Sequence, residues 1–433
     1  MKKYIRKIAI FALALVMLLS ASSCAFIGMD ALLGGASGGE YMTREEVEAL
    51  LDGIEKNVTL QGGDTTVIEN ITSNYDKNIL AASRGLLSAV SISAGFTVSY
   101  TYQGGFGPPS TSNQKTTSYG SGVIYKLDKN NGDAYVITNH HVVYDASSVT
   151  ADKISDDIKI YLYGQEYLDY AIRAEYVGGS ENYDIALLRV KSSEILMKSN
   201  AVAATFANSD DVAVLDTAIA IGNPEAEGIS ATVGVINVDS EEISLSTSTS
   251  LRVMRTDAAV NSGNSGGGLF NDRGEVIGIV NAKMADTDVD NIGYAIPSNV
   301  AVNVAENILY YDALDPSCDS VQRVMIGITL SVAEAYTEYD TETGKVHKRE
   351  RVAITEVKAD SAAKGILREK DIINAVTIDG VKYEVTRTFN LIDAMLNARK
   401  SAQKVSSVVF NITRDGNTFD VTVDISRIIL TEW

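Results

Sequence analysis

The sequence predicts a mainly β protein in which a large all-β unit, a barrel or a sandwich, precedes a smaller α+β unit. Short β-rich runs recur between residues 86 and 280, turn residues separate them, and no long helical pattern interrupts them. A polar stretch at residues 312–323 then indicates a linker, and strand and helix patterns are mixed after it. The length of 433 residues fits two or three domains.

The predicted strands of the first unit are apolar and short. They lie at residues 89–92, 120–125, 135–138, 158–163, 171–177, 185–190, 217–221, 232–238, 252–254 and 276–280. The residues at 130–133, Asn-Asn-Gly-Asp, predict a hairpin turn between two of them. Residues 103–118 are rich in Gly, Pro, Ser and Thr, which indicates an exposed loop. We expect a helix at about residues 299–309, after Pro297.

The second unit, at residues 324–428, mixes both periodicities. Strands are predicted at residues 326–330, 352–357 and 407–412, and helical patterns occur near 360–365 and 391–399. A charged run at residues 340–345 indicates an exposed hairpin turn. This unit is therefore expected to be α+β.

The first 23 residues predict a secretion signal, with a basic start and an apolar run at residues 8–19. Small residues then lead to Cys24, a pattern that resembles a bacterial lipoprotein signal in which this cysteine is lipidated. Ala21 stands where such signals usually have Leu, so an uncleaved anchor or simple secretion are the alternatives. If Cys24 is lipidated, it cannot pair with Cys318, the other cysteine of the chain, and no structural disulfide is expected.

Residues 24–85 are predicted to be a tether that contains a short amphipathic helix. The first part of this segment is rich in Gly and Ser, which is typical of a flexible linker. A capping box at residues 43–46 follows, with apolar residues at helical spacing after it.

The composition is that of an acidic globular protein, with 45% hydrophobic and 21% charged residues and a formal net charge of −19. Binding to nucleic-acid phosphates requires clustered Lys and Arg, so this charge argues against a nucleic-acid partner. Asp, Glu and His do not group at metal-ligand spacing, and no cofactor motif is present, so we expect neither a metal nor a cofactor.

The candidate nucleophile is Ser265, which lies in the run Asn-Ser-Gly-Asn-Ser-Gly-Gly-Gly at residues 261–268. Glycine permits backbone conformations that side chains forbid, which suits a loop whose N–H groups must converge on one point. A flexible loop is the alternative interpretation of such a run. The choice depends on whether the chain supplies a base and a group that orients it.

Three histidines are available as the base. His347 lies in the polar hairpin of the second unit, where we expect it to be solvated. His140 and His141 follow an apolar strand, which delivers a side chain to a defined place. Asp184 precedes the apolar run at residues 185–188 and is the candidate orienting carboxylate, although most such residues only cap turns.

These features occur in the order His, Asp, Ser and resemble the HtrA (high-temperature-requirement) family of serine proteases. The resemblance rests on TNHHVV at residues 138–143, YDIALL at 183–188, TDAAVNSGNSGG at 256–267 and GYAIP at 293–297. It continues in IGI at residues 326–328 and DSAAKGIL at 360–367, which look like parts of a PDZ domain. It implies a two-β-barrel chymotrypsin-like protease domain at residues 86–311 and an α+β PDZ domain at 324–428.

The resemblance also implies a role for individual residues. His141, which directly precedes two aliphatic residues as the family's catalytic histidine does, would be the general base, Asp184 the orienter and Ser265 the nucleophile. The N–H groups of Gly263 and Ser265 would form the oxyanion hole. Gly268 departs from the family, which usually has Pro or Ala there.

Two further sites follow from the resemblance. Ala259 and Val260 would line the specificity pocket, where the absence of a carboxylate predicts cleavage after small or medium aliphatic residues. Ile326, Gly327 and Ile328 would bind peptide C-termini by strand addition, with the helix near residues 391–399 as the other wall of the groove.

The function implied is that of an extracytoplasmic endopeptidase, anchored to the bacterial cell membrane through its N-terminus, that degrades misfolded or unfolded proteins through an acyl-enzyme. The family also implies a homotrimer. A non-catalytic chaperone or scaffold that binds peptide C-termini is the alternative from another class. A different hydrolase lacks support, because no Gly-x-Ser-x-Gly elbow surrounds Ser265.

Overall fold

A computed structural model describes residues 74–102, 110–166, 168–244, 250–282, 292–399, 407–425 and 430–432. The predicted signal segment, Cys24, and the amphipathic helix of the tether lie outside the described residues. Among the helices of this described part, none has the length and apolar character needed to cross a membrane.

The first barrel follows helix α1 (Asn74–Ser88). Its strands are β1 (Ala89–Tyr102), β2 (Ser110–Asp128), β3 (Asp133–Thr138), β4 (Asp157–Leu162), β5 (Ile172–Ser180) and β6 (Ile185–Val190), with the short helix α2 (His140–Val143) after β3. They close in the order β1-β2-β3-β6-β5-β4. The predicted turn between β2 and β3 is present, with Gly132 at a φ of 68° that favours glycine.

The second barrel follows the short helix α3 (Glu194–Lys198) and closes in the order β10-β11-β12-β9-β8-β7. Its strands are β7 (Thr217–Gly222), β8 (Ser230–Ser244), β9 (Ser250–Thr256), β10 (Gly268–Phe270), β11 (Val276–Val280) and β12 (Gly293–Pro297). Helix α4 (Ser298–Asp312) then runs as predicted after Pro297.

The two barrels meet along a seam, which we define as the packed boundary between them. Buried residues from both sides form one apolar cluster there: Val123, Ile137, Ile185 and Leu187 of the first barrel and Ile219, Ile221, Phe270 and Ile279 of the second. Helix α4 covers this cluster with Val300, Val304 and Ile308. Burial of each large aliphatic side chain contributes about 1.5–3 kcal/mol, so the seam is a core of the fold in its own right.

A separate sheet with its own core follows the barrels. Its strands are β14 (Ile328–Tyr339), β15 (Val346–Val357), β16 (Ile372–Ile378), β17 (Val381–Glu384), β18 (Ser407–Arg414) and β19 (Asn417–Asp424), with helix α5 (Thr388–Met395) packed on it. The order is β14-β15-β16-β18-β19, with β17 on β16, so β14 is an edge strand. A two-stranded sheet of β13 (Gln322–Val324) and β20 (Leu430–Glu432) joins the ends of this unit. The predicted fold class, a mainly β protein with chymotrypsin-like barrels and a PDZ-like α+β unit, is confirmed.

Helix α5 is held against the second barrel by buried charges. The Arg252 guanidinium of β9 forms ion pairs with Asp393 of α5 and with Asp210, and lies 3.7 Å from the centroid of the Phe389 ring. Burial alone lowers the pKa of Arg252, but the charges of Asp393 and Asp210 outweigh it and raise that pKa above its ordinary value. The helix is therefore fixed in place by a charged residue of the other unit.

Several expectations were wrong in detail. Residues 110–118 belong to β2 rather than to a loop, because they pair with the outer half of β1 from Thr111 to Ser118. Residues 74–85 lie in α1 rather than in a tether, and α1 packs so closely on the second barrel that a Cβ on Gly85 would lie 2.4 Å from the Ile221 side chain. Residues 360–365 form successive turns instead of a helix, with Gly365 at a φ of 78°.

His347 is buried rather than solvated, with 8% of its surface exposed. The β14–β15 hairpin is longer than predicted, and near its tip Lys345 Nζ binds Asp216 Oδ2 of the second barrel at 2.6 Å. The hairpin therefore lies against the barrel. The polar sequence around His347 does not indicate this contact, because it depends on a segment that is distant in the chain.

Gly268 has a packing reason to differ from the usual Pro or Ala. A Cβ at this position would lie 2.4 Å from Cε2 of the Phe270 ring, which fills the seam. We therefore expect Gly268→Ala to destabilise the protein by about 1–3 kcal/mol through overpacking. Urea unfolding measures this cost.

The matched control is the same change in a Phe270→Leu background, where the clashing ring edge is absent. In that background, Gly268→Ala is expected to lower the free energy of unfolding clearly less than it does in the wild type. Equal costs in the two backgrounds contradict the packing explanation.

Candidate active site

The loop that carries Ser265 lies between β9 and β10 at the seam, and its glycines take conformations that other residues disfavour. Gly263 has a φ of 94° and Gly266 a φ of 85°. A Cβ on Gly263 would lie 2.3 Å from the carbonyl oxygen of Asn223, and one on Gly266 would lie 2.2 Å from that of Ser121. The loop is therefore tightly packed rather than flexible, and Ser265 is 5% exposed.

His141 and Asp184 are brought together by the first barrel. His141 lies in α2 directly after β3, and Asp184 lies directly before β6, which pairs with β3. His141 Nδ1 and Asp184 Oδ2 are 2.7 Å apart, and the His141 backbone N–H donates to Asp184 Oδ1 at 3.0 Å. An ionised carboxylate only accepts, so Nδ1 carries the proton and Nε2 is left as the acceptor.

Asn281 is a site residue that the sequence analysis did not identify. It follows β11 of the second barrel, is 1% exposed, and its Nδ2 donates to Asp184 Oδ2 at 2.7 Å. Asn139 adds a bond from its Nδ2 to the Asp184 backbone carbonyl at 2.8 Å. These partners hold Asp184 at a φ of 47°, a conformation uncommon for a residue with a side chain.

The neighbouring His140 lies in a different environment. Its ring stacks on Tyr144, with ring centroids 4.9 Å apart, and meets the edge of Tyr176 at 6.4 Å. Burial raises the pKa of Tyr176 well above its ordinary value, so this phenol stays neutral. His140 is thus packed among aromatic rings, whereas His141 bonds to Asp184.

The hydroxyl of Ser265 accepts a hydrogen bond from the N–H of Ala282 at 3.1 Å. Within the described part of the chain, no hydrogen bond joins Ser265 to His141. Catalytic hydrogen bonds of this kind are often long in free enzymes and shorten when substrate binds. In the same described part, neither the N–H of Gly263 nor that of Ser265 donates to a protein group. An oxyanion hole requires such unengaged donors.

The candidate pocket residues lie in the first part of the loop that carries Ser265. Ala259 is exposed, and its carbonyl accepts a hydrogen bond from Thr232 Oγ1 at 2.9 Å. Val260 is half-buried, and a Cβ on Gly293 of β12 would lie 2.8 Å from one of its methyl groups. Both residues are apolar, as the specificity expectation requires.

The candidate peptide-binding loop lies at the start of edge strand β14. Ile326 is 6% exposed, Gly327 has a φ of 74°, and the Gly327 carbonyl accepts from the N–H of Lys358 at 2.9 Å. A Cβ on Gly327 would lie 2.3 Å from that of Ser361, so only glycine fits. Helix α5 contacts β14 across the unit, and an edge strand next to a helix is the arrangement that strand addition uses.

The described residues contain no group of three or more His, Cys, Asp or Glu side chains that could hold a metal ion. The candidate site contains a hydroxyl, an imidazole and a carboxylate, which together are the groups of nucleophilic catalysis.

Comparisons with known proteins find similarity to serine proteases. The profile of the "Trypsin-like peptidase domain" family matches residues 120–279. "Serine protease Do-like HtrA" of Bacillus subtilis (strain 168) is 36% identical over 281 residues, which cover 62% of this chain and 56% of that protein. The alignment thus spans little more than half of the Bacillus protein.

"Serine protease Do-like HtrA" of Lactococcus lactis subsp. cremoris (strain MG1363) is 32% identical over 305 residues, which cover 65% of this chain and 68% of that protein. The solved structure "HtrA-type protease AlgW with tripeptide" superposes with a TM-score of 0.50 at 23% identity. That superposition covers 83% of this chain and 97% of the other, and it supports the fold.

Asn281→Leu, which keeps the side-chain size and removes the donor, is expected to slow labelling of Ser265 by a fluorophosphonate about 10- to 100-fold. A hydrogen bond to a charged group contributes about 1.5–3 kcal/mol, and Asp184 loses one. The measurement is the second-order labelling rate constant.

Asn271→Leu is the matched control, because Asn271 is also a buried residue of the second barrel whose Nδ2 binds a carboxylate, that of Glu275, at 2.8 Å. It should label close to the wild-type rate. A wild-type rate in Asn281→Leu contradicts a role for its contact with Asp184.

Proposed function

Because the chain belongs to the HtrA family of serine proteases, we propose that it is a serine endopeptidase with His141, Asp184 and Ser265 as its catalytic triad. The observation that carries this proposal is the 2.7 Å contact between His141 Nδ1 and Asp184 Oδ2 at the seam where the Ser265 loop lies. The family membership and the geometry thus support the same three residues.

The proposed reaction proceeds through an acyl-enzyme. His141 Nε2 takes the proton of Ser265 Oγ as that oxygen attacks the scissile carbonyl, and then gives the proton to the leaving amine. Asp184 stabilises the imidazolium that forms, and its contact with Nδ1 keeps the imidazole in the required tautomer. Water then attacks the acyl carbonyl while His141 Nε2 takes a proton from it. His141 gives that proton to Ser265 Oγ as the acyl bond breaks, which releases the product and restores Ser265.

The negative charge of the tetrahedral intermediate would be bound by the N–H groups of Gly263 and Ser265. One donor of this kind contributes about 3–4 kcal/mol to lowering the barrier. The absence of competing acceptors among the described residues supports this assignment.

We infer that the substrates are unfolded or misfolded proteins, cleaved after small or medium aliphatic residues. Ala259 and Val260 offer an apolar pocket without a carboxylate to pair with Lys or Arg. The PDZ-like unit would bind the C-terminal carboxylate of such chains through Ile326, Gly327 and Ile328 and add them as a strand to β14.

We also propose an extracytoplasmic location, with membrane attachment through Cys24 or an uncleaved N-terminal anchor, and a homotrimeric assembly. The N-terminal charge and apolar pattern support export and attachment. The trimer rests on the family resemblance alone.

Digestion of reduced, unfolded casein tests the proposed activity. The protein without its first 23 residues is expected to cut casein. In the Ser265→Ala variant, the rate of casein digestion is expected to fall at least about 1,000-fold. Sequenced fragments should end mainly in small or medium aliphatic residues.

Two outcomes would count against the proposal. Equal digestion by wild type and Ser265→Ala, without fluorophosphonate labelling, favours the non-catalytic scaffold. Fragments that end mainly in Lys or Arg contradict the assigned pocket.

Binding of a labelled peptide, followed by fluorescence anisotropy in the Ser265→Ala background, tests the PDZ-like loop. A peptide with a free C-terminal carboxylate should bind at least about 10-fold more tightly than its C-terminal amide, because the N–H groups of the loop bind the charge. Gly327→Ala should weaken binding, since its Cβ would overlap Ser361. Equal affinity for acid and amide contradicts carboxylate recognition.

A further inference from the structure

Ser121 bridges the two barrels directly beneath the nucleophile. It lies in β2 of the first barrel and has 0% of its surface exposed. Its backbone N–H, its hydroxyl and its backbone carbonyl each make a hydrogen bond. Its N–H donates to the Ser265 carbonyl at 2.8 Å, its Oγ donates to the Gly263 carbonyl at 2.8 Å, and its carbonyl accepts from Thr138 Oγ1 at 2.7 Å.

The two bonds to the second barrel end on the residues whose N–H groups form the proposed oxyanion hole. Gly263 and Ser265 therefore each have their carbonyl held by the same residue of the first barrel. Ser121 Oγ also accepts from the Asn223 N–H at 2.8 Å, which leaves its own proton to be donated to Gly263. A hydroxyl has one donor, so this network fixes its direction.

Rotation of the loop is opposed on both sides. The N–H and C=O of one trans peptide point in opposite directions, so fixing a carbonyl also fixes the N–H in its own peptide plane. The Ser262 carbonyl is held by the N–H of Glu225 at 2.8 Å, which sets the direction of the Gly263 N–H. Ser121 then holds the next peptide through its carbonyl, so Gly263 is restrained at both of its neighbouring peptides.

We propose that Ser121 is a positioning residue, which holds the oxyanion loop of Gly263 and Ser265 in its catalytic orientation from the opposite barrel. The inference rests on the proposed protease function and deepens it. Ser121 touches neither substrate nor the reacting atoms, and it acts through the loop. Its loss thus lowers stabilisation of the transition state more than substrate binding.

The test compares Ser121→Ala with Ser91→Ala. Ser91 pairs opposite Ser121 in β1, is 5% exposed, and its hydroxyl accepts from Nδ2 of the same Asn223 at 2.6 Å. Among the residues that the structure describes, the Ser91 side chain makes no hydrogen bond to the nucleophile loop. The two variants therefore remove buried hydroxyls from the same network, and only the first removes a bond to Gly263.

For Ser121→Ala we expect kcat on a peptide substrate to fall at least about 10-fold, and by no more than the 100- to 1,000-fold that loss of an oxyanion donor itself costs, with KM changed less than about 3-fold. Affinity for a peptide boronate, whose adduct with Ser265 places an oxygen in the oxyanion hole, should fall in parallel. Ser91→Ala should keep kcat and boronate affinity near wild type.

Ser121→Cys covers the case in which the alanine variant fails to fold, since a thiol is close in size and a weak donor. It should fold with a melting temperature near wild type and a lowered kcat. A kcat within about 3-fold of wild type in Ser121→Ala, or an equal loss in Ser91→Ala, overturns the positioning role. Absence of activity and of fluorophosphonate labelling in the wild type itself is a different result, which overturns the proposed function instead.

Discussion

The packed seam between the two barrels is the constraint on which the site depends, because neither barrel carries the three groups alone. The first barrel supplies His141 and Asp184 by placing them at the ends of two paired strands. The second supplies Ser265 on a loop whose glycines press against backbone atoms. Apolar packing brings the barrels together, and buried hydrogen bonds across the seam then set the direction of individual groups, which apolar contacts cannot do because they are non-directional.

Much of this arrangement is predictable from the sequence, since apolar strands and glycine-rich turns report local structure directly. The run at residues 185–190 coincides with β6, and the order His, Asp, Ser indicates the right chemistry. Asn281 and Ser121 were missed because their roles depend on partners 97 and 142 residues away, and an asparagine after a strand or a serine within one has no local signature. His347 was misassigned for a related reason, because its hairpin lies against the second barrel, which is distant in sequence. Residues 111–117 are exposed as expected, but residues 110–118 pair with the preceding strand β1, and their polar composition does not indicate a strand.

The PDZ-like unit is joined to the barrels through buried charges as well as through apolar contact, since Leu396 belongs to the apolar cluster of the seam. Arg252 is buried between two carboxylates and an aromatic ring, and it connects β9 with helix α5, the proposed wall of the peptide groove. Buried ion pairs contribute little net stability but are costly to break, so they favour one relative placement over many. Strand β9 also leads directly into the nucleophile loop. One strand therefore both contacts the proposed groove wall, through Arg252, and carries the loop of Ser265.

The long sequence separation across the seam has a consequence for the newly made chain. The His141–Asp184 pair spans 43 residues and is complete once the first barrel closes, whereas the bond from Ser121 to Gly263 spans 142 residues and requires the second barrel. Contacts of large separation close late, because the intervening chain must lose its conformational freedom first. A chain that has folded only its first barrel thus holds a base without a nucleophile. The proposed protease, whose substrates would be unfolded polypeptides, is in this way kept inert until its own second barrel has folded.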